Sequence, residues 1–115
     1  MADVHDLLRR LLAGQGHGAG EFRWHHVLSL LMRLREERSL DSATVLQEIA
    51  EFEGRLTFDG AEGHPHSMPP ADLVRTIAVQ ILAEWDLEQY RDTIVRAADL
   101  ALSHPARSIA RQLVG

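Results

Sequence analysis

The chain has 115 residues, a net charge of −5 with histidine neutral, 45% hydrophobic and 25% charged residues, and no cysteine. Length and hydrophobic content fit one folded domain with one core, while the missing cysteine excludes a disulfide scaffold, a thiolate zinc site and a thiol nucleophile. The acidic balance and the lack of a basic stripe argue against direct nucleic-acid binding.

The first helix is expected over Asp3 to Ala13, where Val4, Leu7, Leu8, Leu11 and Leu12 recur at three- and four-residue spacing. Asp3 and Asp6 at its start and Arg9 and Arg10 near its end suit the helix dipole. Gly14-Gln15-Gly16-His17-Gly18-Ala19-Gly20 follows, four glycines in seven residues, and reads as a flexible tether. No strand precedes it and no Gly-Lys-Ser/Thr follows, so it lacks the context of a phosphate-binding loop.

A second helix is expected from about Glu21 to Arg38. Phe22, Trp24, Val27, Leu28, Leu30, Leu31, Met32 and Leu34 cover most of its circumference, which predicts a central helix or one covered on a second side by the first helix, a second copy of the chain or a foreign partner. A third helix is expected to start near Asp41 or Ser42, with Val45, Leu46, Ile49 and Phe52 as its stripe. Arg55–Phe58 is the one strand-like stretch, and Asp59–Pro70 is a proline- and glycine-punctuated loop. A fourth helix from Pro70 or Ala71 presents Leu73, Val74, Ile77, Ala78, Ile81, Leu82 and Trp85. Asp86-Leu87-Glu88-Gln89 has capping-box spacing and predicts a break before a fifth helix to about Leu102, with Leu87, Tyr90, Ile94, Ala97, Ala98 and Ala101 on one face. Ser103-His104-Pro105 is read as an interruption before a last short helix over Ala106–Val114. The expected fold is an all-α bundle of four main helices at 21–115, preceded at 1–20 by a tethered amphipathic helix.

Seven histidines stand out. His25, His64 and His66 are the candidate metal ligands, but no H-E-x-x-H occurs and a site requires the helix to meet the loop in space. The ordinary reading is of surface or half-buried histidines bonding backbone. No serine sits in Gly-x-Ser-x-Gly, and Glu48 and Glu51, three apart, fall off the apolar stripe; no catalytic set and no cofactor are expected. From Asp41 to Gly63 there are six acids and one base, a difference as large as the net charge of the whole chain. Such a face steers a basic partner, although a solvated helix face produces the same pattern.

These features predict a non-enzymatic protein–protein interaction module, adaptor-, immunity- or inhibitor-like. Phe22, Trp24, Trp85 and Tyr90 are its expected aromatic anchors, and Glu48, Glu51 and Glu53 its steering charges. Two alternatives are an N-terminal helix serving as a docking peptide and a histidine-based metal or small-ligand binder. A C2 homodimer through the second or fourth helix is a further expectation. Lysine and asparagine are both absent, and their A-rich codons point to a GC-rich, bacterial genome. The first residues lack the pattern of a signal peptide and no run approaches a membrane span, so the expected location is the cytoplasm.

Overall fold

A computed structural model of the chain describes residues 4–13, 24–53, 70–101 and 103–115. All regular structure among them is helical: α1 (Val4–Leu12), α2 (Trp24–Glu37), α3 (Leu40–Ala50), α4 (Pro70–Leu100) and α5 (His104–Leu113). The expected all-α fold is thus observed, while the glycine-rich stretch 14–20, the strand-like Arg55–Phe58 and the loop to Pro69 lie outside the described residues.

The element boundaries follow local chemistry. α2 stops where Arg38 adopts a left-handed conformation (φ 49°), although glycine is the residue that favours it. Ser39 then caps α3: its backbone is extended and its hydroxyl accepts the Ser42 N–H at 3.0 Å. The cap is therefore Ser39 and not Asp41 or Ser42, because the turn between α2 and α3 takes only two residues and the helix starts at Leu40. α4 is two helical arms, 70–85 and 87–100, separated by Asp86 with extended backbone (φ −165°, ψ 93°). The Asp86 carboxylate accepts the Gln89 N–H at 3.1 Å, so the break expected at Asp86 is observed and Asp86 is the N-cap of the second arm. α5 begins at His104, two residues earlier than expected. Ser103 is its cap and Pro105 fits its first turn, where a missing N–H costs nothing.

One core gathers side chains from every helix. Leu8 and Leu11 of α1, Val27, Leu30, Leu31 and Leu34 of α2, Val45, Leu46 and Ile49 of α3, and Val74, Ala78, Leu82 and Ile94 of α4 are all buried in it. α1 packs on α2 and α3, so its apolar stripe is covered by the bundle itself. α2 is not the helix surrounded on all sides. His26, Ser29, Met32, Arg33 and Glu36 form an exposed stripe at helical spacing, and Met32 is the one large apolar residue on it.

The most extensively buried element is the first arm of α4, and α4 as a whole touches α2, α3 and α5. Between 72 and 82, eight residues are buried, Asp72, Arg75 and Thr76 among them. A helix buried this fully must satisfy its polar groups internally. Asp72 accepts the backbone N–H of Ser103 at 2.7 Å. Arg75 donates to the carbonyl oxygens of Phe52 (2.8 Å) and Leu100 (3.2 Å), with its Nη1 3.9 Å from the Asp72 carboxylate. Burial pushes the Arg75 guanidinium below its ordinary value and the Asp72 charge opposes that shift.

α5 lies against α4 through small residues. Ala97, Ala98 and Ala101 on one side and Ala106 and Ala110 on the other are buried, and such pairs permit close helix approach. α2 is tied to α4 at the surface by a bidentate bond from Arg35 to Glu84 (2.9 and 3.1 Å). The Arg35 bond holds the Glu84 carboxyl below the usual glutamate range, and Glu84 raises Arg35.

Three expectations follow. Leu8→Ala removes a fully buried side chain and is expected to cost about 3 kcal/mol in urea unfolding, with one cooperative transition; an unchanged midpoint means that α1 is not part of the folding unit. Asp72→Ala leaves Arg75 buried without its carboxylate and is expected to cost about 3 kcal/mol, against little for the exposed Asp92→Ala, so equal losses in the two variants discard the role given to the buried pair. Because the Glu84 pKa is lowered in the folded state, its contribution is fully present above the ordinary glutamate pKa and is lost as pH falls through the lowered value. Wild type should therefore exceed Glu84→Gln in stability at neutral pH and converge with it in acid, which thermal melts across pH will read; a constant difference contradicts it.

Candidate functional site

An open groove of about 740 Å³ lies where the end of α1, the end of α3 and the second arm of α4 meet. Leu12, Gln47, Glu48, Glu51, Phe52, Glu53 and Arg96 line it. Leu12 and Phe52 are half-buried and pack towards or beside the core, giving the groove an apolar part, and the carboxylates are partly exposed around them. The backbone here is fixed by the core: the Phe52 carbonyl is the one gripped by buried Arg75, and the α3 end is closed by the Glu51 N–H donating to Gln47 O.

The three glutamates do not face solvent as a bare acidic patch. Arg9 of α1 approaches Glu48 at 3.5 Å. Arg96 of α4 approaches Glu51 at 3.8 Å and donates from Nη2 to Glu53. Glu51 also accepts a bond from the buried Thr93 hydroxyl at 3.3 Å, and the Gln47 amide donates to that hydroxyl at 3.4 Å. Three carboxylates are thus matched by two guanidiniums, and the groove keeps an excess of negative charge with unused acceptor oxygens.

The structure brings Glu48, Glu51 and Glu53 together but separates them from the expected aromatic anchors. Tyr90 is 6% exposed and is a core residue, not an exposed anchor, because it shares one helix face with the buried Ile94, Ala97 and Ala98. Trp85 is half-buried and packs against the core, away from the groove lining. Phe22 lies outside the described residues, and Trp24 is described by its backbone alone. The same holds for the candidate ligands: His25 is described by its backbone in α2, and His64 and His66 lie outside. Among the described residues no group of three or more histidines and carboxylates could hold a metal ion, and no helix is long and apolar enough to cross a membrane.

One histidine–serine–carboxylate cluster is present. His5 of α1 is buried, its Nε2 lying 3.3 Å from the Ser42 hydroxyl and 3.2 Å from Glu37 Oε1. Ser39 donates to the same Glu37 oxygen at 2.7 Å. A nucleophile relay needs the acid and the hydroxyl on opposite ring nitrogens and an accessible hydroxyl. Here one nitrogen faces both and Ser42 is fully buried, so the cluster ties α1 to the junction of α2 and α3.

No local pattern marks Arg9 and Arg96 as groove residues, since each meets its partner across some forty residues of chain. Phe52 was visible only as the last member of the α3 stripe. Set against known protein families, curated proteins and solved structures, the chain shows no significant match.

Proposed function

We propose that the protein is a non-enzymatic interaction module whose groove between α1, α3 and α4 docks a basic, partly apolar segment of a protein partner. The observation that carries this reading is the position of Arg96. A guanidinium from another part of the chain already lies between Glu51 and Glu53, and Leu12 and Phe52 supply apolar surface beside it. An incoming arginine or lysine meets the same acceptors, with Glu48 and Glu53 the more accessible. The surrounding acid steers encounter, and the apolar contacts retain the partner.

Burial of Leu8 and Leu11 favours this groove over α1 as a free docking peptide, since α1 must leave the core before it can dock elsewhere. Among the described side chains of α2, Met32 is the one large apolar residue on the outer face, which offers little for a C2 dimer there. We assign the module to a bacterium on the codon argument.

Selection of a random peptide library on the full chain tests the reading. Enriched peptides should pair arginine or lysine with an apolar residue, weaken with added salt, and lose about tenfold in affinity, ~1.4 kcal/mol, on the triple variant Glu48→Gln, Glu51→Gln, Glu53→Gln. Those glutamates are partly exposed, so folding should be little changed. Peptides without cations, or equal binding to the variant, overturn it.

A further inference from the structure

On the far end of the chain, the outer face of α5 carries cations that form no ion pair with a carboxylate among the described residues. α5 has no acidic residue in its ten positions. His104, Arg107, Ser108, Arg111 and Gln112 recur at three- and four-residue spacing and, with Gly115, line a concavity of about 300 Å³. Elsewhere in the described structure Arg9, Arg35, Arg75, Arg91 and Arg96 each face a carboxylate, whereas Arg33 and Arg38 are exposed singly and share neither concavity with another arginine. Arg107 instead donates one Nη2 hydrogen to the Ala101 carbonyl (3.1 Å), leaving most of its guanidinium donors unused, and Arg111 makes no hydrogen bond or ion pair among the described residues. Two guanidiniums one helical turn apart, about 6 Å between Cβ atoms, therefore open on the same hollow as the Ser108 hydroxyl.

The platform is rigid. Ala106 and Ala110 are buried on the opposite face, Asp72 fixes the start of the helix through the Ser103 N–H, and Arg91 donates to the Val114 carbonyl at 2.7 Å at its end. Preorganised donors lose little entropy on binding.

We propose that this face of α5 is a binding site for a compact phosphate monoester, with Arg107 and Arg111 as the charge-assisted donors and Ser108 as a third. Guanidinium forks match the oxygens of a phosphate bidentately. The hollow has room for a phosphate group together with the small group that it esterifies, and the net charge of −5 repels an extended polyanion at long range, which favours the small ligand over a nucleic acid. This site is separate from the groove and does not depend on the reading given for it.

The test follows the arginine side-chain Nε–H resonances of the full chain by NMR during titration with inorganic phosphate, with a phosphoserine peptide and with its unphosphorylated form, at ionic strength held constant with sodium chloride. Saturable shifts of Arg107 and Arg111 with phosphate or the phosphopeptide, absent with the plain peptide, support the site. Tighter binding of the phosphopeptide assigns the phosphate to a partner side chain, and equal binding assigns it to a free ion. Arg111→Gln, which has no intramolecular bond to lose, should weaken binding about tenfold with α5 intact by backbone amide shifts. Shifts that do not saturate, binding unchanged in Arg111→Gln, or a single-stranded oligonucleotide binding more tightly than the phosphopeptide overturn the proposal.

Discussion

Arg75 is the constraint on which the arrangement of the helices rests. The first arm of α4 is the most extensively buried element, and a buried helix can carry a guanidinium only if acceptors are brought to it. Those acceptors are the Phe52 and Leu100 carbonyls, orphan groups that helix ends leave without intrahelical partners. Asp72, one turn earlier, takes the N–H of Ser103. Two side chains on one helix turn thus hold the end of α3, the end of α4 and the start of α5. Arginine suits the task and lysine does not, because a planar fork reaches two carbonyls in fixed directions while an ammonium is more strongly hydrated and more readily loses its charge on burial.

The surface charges continue the same logic at lower energy. Arg9 reaches from α1 to α3, Arg35 from α2 to α4, and Arg96 from α4 to the end of α3. Each joins two helices, and each is exposed enough that solvent screens most of its energy. Their effect is on orientation: they favour one register of helix against helix, while the apolar core supplies the stability. Within the described part of the acidic block, Glu48, Glu51 and Glu53 are partly matched by the arginines that α1 and α4 bring to them.

What the sequence disclosed and what it hid divide along physical lines. Local signals were legible. The α1 stripe, the break at Asp86 and the face of Ala97, Ala98 and Ala101 depend on residues within a few turns of one another. The cap of α3 was misplaced by two or three residues because Ser39, Asp41 and Ser42 all have capping side chains, and the choice rests on the left-handed Arg38. The identity of the most buried helix was hidden for a different reason. An apolar count makes α2 look central, yet the most extensively buried element is the α4 arm that contains Asp72, Arg75 and Thr76. Counting apolar residues penalises a helix whose polar groups are satisfied by distant chain ends, and those partners cannot be read from spacing. The groove arginines escaped notice on the same ground.

The groove and the buried bracket are physically one assembly, which bears on how the groove can work. Phe52 offers its side chain to the groove and its carbonyl to Arg75, and Glu51 is held by Thr93, which is itself buried. The floor and one rim are therefore set by the core, while Glu48 and Glu53 are attached to it only through exposed arginines. A ligand that displaces Arg96 from Glu53 exchanges one guanidinium for another without desolvating a new carboxylate. Such an exchange is nearly balanced in free energy, so net affinity has to come from the apolar contacts at Leu12 and Phe52 and from the acid left unpaired. A site built this way discriminates by the apolar residue that accompanies the cation more than by the cation itself.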